Sequence, residues 1–277
     1  MNSQDFTFLV NMLKKKSGHV LSADKGYLLD SRLGPIARKE NFGSVEALVS
    51  AMRTRNDERL NAMVTEALTM NETFFFRDRT PFDLFKSDVI PHMTANRRPA
   101  SKLKIWCAAA SSGQEPYSLA MILREEAAKM KGISHNILAT DISEKVLHKA
   151  KAGLYSQFEV QRGLPVQLMV KYFQKSDDLW KIDPNLQQHI VFRKFNLLDS
   201  FRALGQFDVV FCRNVLIYFD QQTKSDILNR LAQSIAPDGF LFLGAAETVM
   251  GLSDAFAPVS GKRGLYVRKD KAVAKVA

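Results

Sequence analysis

IWCAAASSGQEPYSLA, Ile105 to Ala120, begins as an apolar strand, passes through a run of very small residues, and ends in helix-forming ones. Strand, tight turn and helix in that order make a nucleotide cradle, because small side chains let a ligand approach the backbone. The turn lacks the glycines of G-x-G-x-x-G, and Glu115 stands where a helix N-terminus would otherwise meet phosphate. A carboxylate there repels pyrophosphate and favours a cation. The stretch therefore predicts a cradle for an adenosine-containing ligand with a cationic amino-acid part, which fits S-adenosylmethionine better than a dinucleotide. The alternative at this point is Glu115 as a plain acid in the first turn of a helix.

Downstream, strands and helices alternate. Strands are predicted at 104–106, 136–140, 190–195, 207–212 and 240–243, with helices at 81–93, 116–130, 144–151 and 222–235. Such alternation predicts a parallel sheet with helices on both faces. Residues 256–259 and 264–268 read as a closing hairpin, and the short run Leu179–Ile182 between Asp177-Asp178 and Asp183-Pro184 reads as part of a small antiparallel insertion. Upstream of about residue 70 the pattern is helical. Phe6, Leu9, Val10 and Leu13 follow the 3.6-residue period, as do Leu60, Met63, Val64 and Leu68. Gly34-Pro35 is expected to interrupt one helix there or to mark a break between two.

In an open parallel sheet, ligands sit outside the carboxyl ends of the strands. Four such ends are readable: Ala108–Gly113, Asp141 in ATDIS, Asn196-Leu197, and Arg213-Asn214. Asp141 suits ribose hydroxyls, or equally the cap of the helix that follows it.

Composition narrows the classes. The chain has 277 residues, 46% hydrophobic and 25% charged, as in ordinary globular proteins. It has no apolar run near the ~18 residues of a membrane helix, and its first residues do not read as a secretory signal. Cys107 and Cys212 lie in apolar strands and read as buried free thiols, which points to a cytoplasmic protein. Five dispersed histidines offer no metal site. The net charge of +10 suits acidic partners, or equally a basic surface with its charge scattered. Nucleic acid is one such partner, but adenine-amino methylation calls for an Asn/Asp-Pro-Pro-aromatic run where this chain has Asn214-Val215-Leu216.

MNETFFFRD (70–78), SSGQEPYSLAM (111–121), ATDIS (139–143) and CRNVLIYFD (212–220) occur in that order. Together they resemble the CheR family, the chemoreceptor glutamate methyltransferases of bacterial chemotaxis, over nearly the whole chain. The Pro-Asp-Gly turn at 237–239 is similar to the one before a late strand in Rossmann-like methyltransferases. The resemblance implies an α/β fold: a Rossmann-like class I methyltransferase sheet, an N-terminal helical domain (1–70), a linker contributing to the cofactor site (71–80), and a methyltransferase domain (81–277) carrying a β-insertion at about 172–194. It implies S-adenosylmethionine as cofactor and S-adenosylhomocysteine as product. The implied cofactor contacts are Asn71, Thr73, Arg77, Glu115, Asp141, Asn196, Leu197, Arg213 and Asn214. Glu115 would serve the ammonium end or a neighbouring polar group.

Arg77 and Tyr218 are the implied catalytic residues, steering a substrate carboxylate; Phe74–Phe76 read as linker packing. Arg32, Arg38 and Lys39 are the implied receptor contacts. The partner is then the cytoplasmic helical region of chemoreceptors, with the enzyme recruited to receptor arrays, and with neither nucleic acid nor membrane insertion involved. The chain departs from the family's pattern in its Ala108–Ala110 turn, in Gly244-Ala245-Ala246-Glu247, where members often carry a histidine before the acid, and in a short loop at 175–178 without glycine. That loop implies no tethering to a receptor's C-terminal pentapeptide. A reading of another class is a cofactor-binding signalling module without catalysis.

Overall fold

A computed structural model describes residues 1–21, 26–55 and 57–271. Its contacts divide the chain into a helical unit, Met1–Met70 with Tyr218–Thr223, and a sheet unit, Asn71–Ile217 with Lys224–Ala277.

The helical unit is built from α1 (Ser3–Ser17), α2 (Tyr27–Lys39), α3 (Val45–Arg55) and α4 (Glu58–Leu68). Asn2 caps α1 by accepting from the Asp5 N–H, and Asp57 caps α4 by accepting from Arg59 and Leu60. Leu9, Leu33, Leu48, Val49, Met52 and Val64 are fully buried in one core. Burial of each such side chain stabilises by roughly 1.5–3 kcal/mol. That corrects the interruption expected at Gly34-Pro35: α2 runs through Pro35 unbroken. An interior proline costs about 3 kcal/mol of helix propensity, but Leu33 and Ala37 on either side of it are buried in that core, and this packing offsets the cost.

The sheet unit holds β1 (Lys102–Ala108), β2 (Ser134–Asp141), β3 (Leu154–Ser156), β4 (Phe173–Ser176), β5 (Leu179–Ile182), β6 (Ile190–Lys194), β7 (Phe207–Cys212), β8 (Ile235–Leu243), β9 (Phe256–Pro258) and β10 (Leu265–Arg268). Seven of them form one sheet in the order β6-β2-β1-β7-β8-β10-β9. The first five in that order are parallel, and β10 and β9 close the edge as an antiparallel hairpin. This is the parallel α/β sheet that the alternation of strands and helices predicts, with the expected helical unit ahead of it. All six residues of β7 are buried, as a central parallel strand covered on both faces requires. Phe211 stacks on Phe242 of β8 at 4.4 Å between ring centres.

The small antiparallel sheet has the order β3-β5-β4. It takes its first strand from Leu154–Ser156, ahead of the 172–194 span read from the sequence. A three-residue strand is too short to show alternation, so only pairing with β5 reveals it. The insertion is tied to the sheet's working edge: the buried Tyr155 hydroxyl donates to the Ser112 carbonyl at 2.7 Å.

Candidate active site

Register aligns the strand tips. Ala108 lies beside Thr140 and Cys212, Asp141 beside Lys194, and Cys212 beside Leu243. The turn after β1, Asp141, Asn196, Arg213-Asn214 and Gly244 therefore share one edge of the sheet. This is the edge where ligands of open α/β sheets bind.

The turn after β1 carries the sharpest backbone constraint. Ala109 (φ 58°), Ser111 (φ 50°) and Gly113 (φ 93°) all lie in the left-handed region. A Cβ on Gly113 would meet the Ala150 Cβ at 2.9 Å and the Tyr155 hydroxyl at 3.2 Å. Two non-glycine residues held there cost on the order of 1 kcal/mol each. Asp141 helps to hold them: its Oδ2 accepts the Ser111 N–H at 2.9 Å and its Oδ1 accepts the Ser143 N–H at 2.9 Å. Ser143, not Asp141, caps the following helix by accepting from the Val146 N–H. Asp141 is thus freed from the capping role that the sequence left open, and instead braces the cradle between β1 and β2.

Arg213 is the centre of charge. Its side chain is 2% exposed. Nη1 donates to Glu115 Oε2 at 2.7 Å, while Nη2 donates to Asp78 Oδ2 and to the Arg77 carbonyl, each at 2.8 Å. Nε is buried and has no partner among the described residues. A buried unpaired donor costs about 1–3 kcal/mol, more on a charged group, so this nitrogen calls for an explanation, a bound ligand or a water among them. Burial pushes the Glu115 carboxyl above its ordinary range, and the Arg213 charge opposes that shift. Glu115 Oε1 has no partner among the described residues.

Asn71, Thr73 and Arg77 lie half-buried in the linker segment. The Asn71 carbonyl accepts the Ser111 hydroxyl at 2.7 Å, which joins the linker to the cradle. Arg77 donates to the Glu72 carbonyl at 2.8 Å, and its guanidinium lies 5.5 Å from the Phe74 ring centre. Phe75 and Phe76 are buried, as linker packing predicts. Asn196 Oδ1 accepts from the Leu198 N–H, and Leu197 is buried. Asn214 sits in the left-handed region, φ 58°.

The other residues singled out from the sequence lie in the helical unit. Tyr218 stacks on His19 at 5.1 Å, and its carbonyl accepts the Val20 N–H. Arg32 donates to the Thr69 carbonyl at 3.0 Å, tying α2 to the end of α4, while Arg38 and Lys39 are exposed.

Two carboxylates that the sequence reading names, but to which it gives no site role, belong to the site. Asp78 pairs with Arg213. Glu247 accepts four backbone N–H groups, those of Asn214, Val215, Leu216 and Gly244. The run Gly244-Ala245-Ala246-Glu247 is visible in the sequence as the place of a late acid, but its role as an acceptor of four N–H groups is not. Burial pushes both Cys107 and Cys212 thiols well up, so neither is a ready nucleophile.

S-adenosylmethionine fits these groups. The orphan Arg213 donor suits a carboxylate, the open Glu115 oxygen suits an ammonium, and the small turn suits a nucleoside that lacks phosphate. Among the described residues, no group of acids, cysteines and histidines could hold a metal ion, and no helix is long and apolar enough to cross a membrane.

The chain matches the family model "CheR methyltransferase, SAM binding domain" over residues 71–265 and "CheR methyltransferase, all-alpha domain" over residues 4–68. It is 40% identical over 271 residues to "Chemotaxis protein methyltransferase 1" of Vibrio cholerae, covering 97% of this chain and 98% of the relative. It is 40% identical over 265 residues to "Chemotaxis protein methyltransferase Cher2" of Pseudomonas putida, covering 94% and 96%. It is also 40% identical to "Chemotaxis protein methyltransferase 1" of Pseudomonas aeruginosa over 268 residues, covering 95% and 97%.

Proposed function

This chain belongs to the CheR methyltransferase family, whose cofactor is S-adenosylmethionine, and from that premise we propose that it forms methyl esters on glutamate side chains of chemoreceptors. The observation that carries the reading is the Arg213 hub, a buried cation with an orphan donor between Glu115 and Asp78 at the strand tips.

When bound, S-adenosylmethionine supplies an electrophilic methyl group for in-line displacement. The residues of this chain then have to bind and orient. Arg213 Nε–H would hold the cofactor's carboxylate, Glu115 Oε1 its amino end, and Asp141 the ribose. Asn196-Leu197 would flank the adenine. Asn71, Thr73 and Asn214 complete the set. An acceptor glutamate, with a pKa of ~4.3, is already ionised at neutral pH, so no general base is required. Positioning alone supplies several kcal/mol, and the buried, protonated Cys107 and Cys212 fit a reaction without a protein nucleophile. Arg77 is proposed to orient the acceptor carboxylate, and Tyr218 to act on the same group.

The partner we propose is the cytoplasmic helical region of chemoreceptors, with the exposed Arg38 and Lys39 facing acidic receptor surface and the enzyme gathered at receptor arrays. Arg32 is the weaker contact, since the Thr69 carbonyl holds it. The turn joining β4 to β5, Asp177-Asp178, is only two residues long and has no glycine. So short a turn supports binding without a pentapeptide tether.

The test mixes the protein with methyl-labelled S-adenosylmethionine and receptor-bearing membranes, and counts methanol released by mild base. Release that is lost in Asp141→Ala and Arg77→Ala supports the reading. Cofactor binding without any release sinks it.

A further inference from the structure

We propose that Glu247 is a positioning residue for the cofactor site, a carboxylate clamp that fixes the backbone carrying Asn214. The inference rests on the reading of Asn214 as a cofactor contact. Glu247 Oε2 accepts the N–H groups of Asn214 at 2.8 Å and Gly244 at 2.6 Å. Oε1 accepts those of Val215 at 2.9 Å and Leu216 at 2.7 Å. One side chain from the segment after β8 thus takes every backbone donor of the three residues that leave Arg213, together with one at the end of its own strand.

Two backbone features go with this arrangement. Asn214 lies at φ 58°, in the left-handed region that asparagine tolerates better than most residues. Gly244 leaves the room: a Cβ there would come within 2.7 Å of Glu247 Oε2, 2.8 Å of Asn214 Nδ2 and 2.9 Å of the Asn214 nitrogen. The tips of β7 and β8 are therefore spaced by a carboxylate and an amide side chain, with no substituent on the strand end itself.

The chemistry demands a carboxylate. Its two oxygens offer about four acceptor sites and no donor, matching four N–H groups. Glutamine keeps the length but turns an NH2 towards one of the two donor pairs, so either Asn214 and Gly244 or Val215 and Leu216 lose their acceptor. Hydrogen bonds to a charged acceptor are the stronger kind. The clamp touches neither reacting atom. It acts by holding Asn214 in place.

Binding of S-adenosylhomocysteine would be titrated calorimetrically with the parent protein, Glu247→Gln, Gly244→Ala and Asn214→Ala, each checked for folding by near-UV circular dichroism. Methyl transfer would be measured against cofactor concentration. We expect folded Glu247→Gln to bind roughly ten-fold more weakly or worse. Its KM for S-adenosylmethionine should rise in parallel, with kcat at saturating cofactor within about two-fold of the parent, a split that lost stability alone does not produce. Gly244→Ala, which crowds the carboxylate without removing it, should weaken binding in the same direction and serves if Glu247→Gln does not fold. Parent-like affinity and KM in whichever of the two folds overturns the clamp. If Asn214→Ala binds weakly while Glu247→Gln does not, only the clamp falls. A parent protein that binds no S-adenosylhomocysteine removes the reading of the site along with it.

Discussion

In the helical unit, Leu9, Leu33, Leu48 and Val64 are fully buried and close the structure by side-chain packing. At the carboxyl edge of the sheet, the closing groups are carboxylates on backbone N–H and on one guanidinium. Asp141 braces Ser111 and Ser143, Glu247 braces Asn214 to Leu216 and Gly244, and Glu115 with Asp78 holds Arg213. Packing tolerates small losses and degrades gradually. A buried polar network does not, because a partner left unpaired keeps its full desolvation cost. The site thus stands where single substitutions matter most, and the helical unit, with its proline inside α2, shows how much an apolar core absorbs.

Removing Arg213 should give the largest effect. Arg213→Met leaves Glu115 buried opposite an apolar group, and breaking such a pair costs about 3–5 kcal/mol. Urea unfolding should show this loss, and calorimetry should show loss of cofactor binding. An Arg213→Met protein as stable as the parent would erase the contrast between the two regions.

The helical unit has its own buried polar group, His19, whose pKa burial lowers from 6.5 to about 4. The unfolded chain takes up a proton below pH 6.5 that the folded one refuses until about pH 4, so stability is present above 6.5 and is lost as pH falls through this window. The expected loss is about 2 kcal/mol by pH 5. His135 in the sheet unit, also lowered to about 4 by burial and by the neighbouring His189, adds a loss of the same sign. Unfolding at pH 7 and pH 5 in His19→Gln against the parent separates the two, and an unchanged pH slope would show that His19 is not shielded.

The smallest effect should be a gain. Pro35→Ala restores an N–H within α2 and should stabilise the helical unit by about 1 kcal/mol, helix propensity outweighing the greater freedom of the unfolded chain. Thermal unfolding would read it, and a fall in midpoint would mean that the stiffness the exposed proline gives the unfolded chain outweighs its cost within the helix.

The α/β alternation, the parallel strands, the closing hairpin and the small-residue turn at Ala108–Gly113 were all legible, because each expresses itself within ten residues or so as period, apolar run or turn chemistry. Gly34-Pro35 misled, since local propensity carries no information about Leu33 and Ala37 entering a common core. The strand Leu154–Ser156 stayed hidden, because only its partner identifies it. The partners of the acids Asp78 and Glu247 stayed hidden too. Asp78 meets Arg213 across 135 residues, and Glu247 meets Asn214 across 33.

By itself, the sequence determined the family, the order of elements and which strand ends carry polar chemistry, because those depend on residue types at short separations. Only the tertiary structure decided that Ser143 caps the helix while Asp141 braces the cradle. Only it decided that Glu115 already faces Arg213, and that Glu247 closes the edge. A carboxylate's role is set by the N–H groups and cations that come within about 3 Å of it, and the folding of distant segments brings them there.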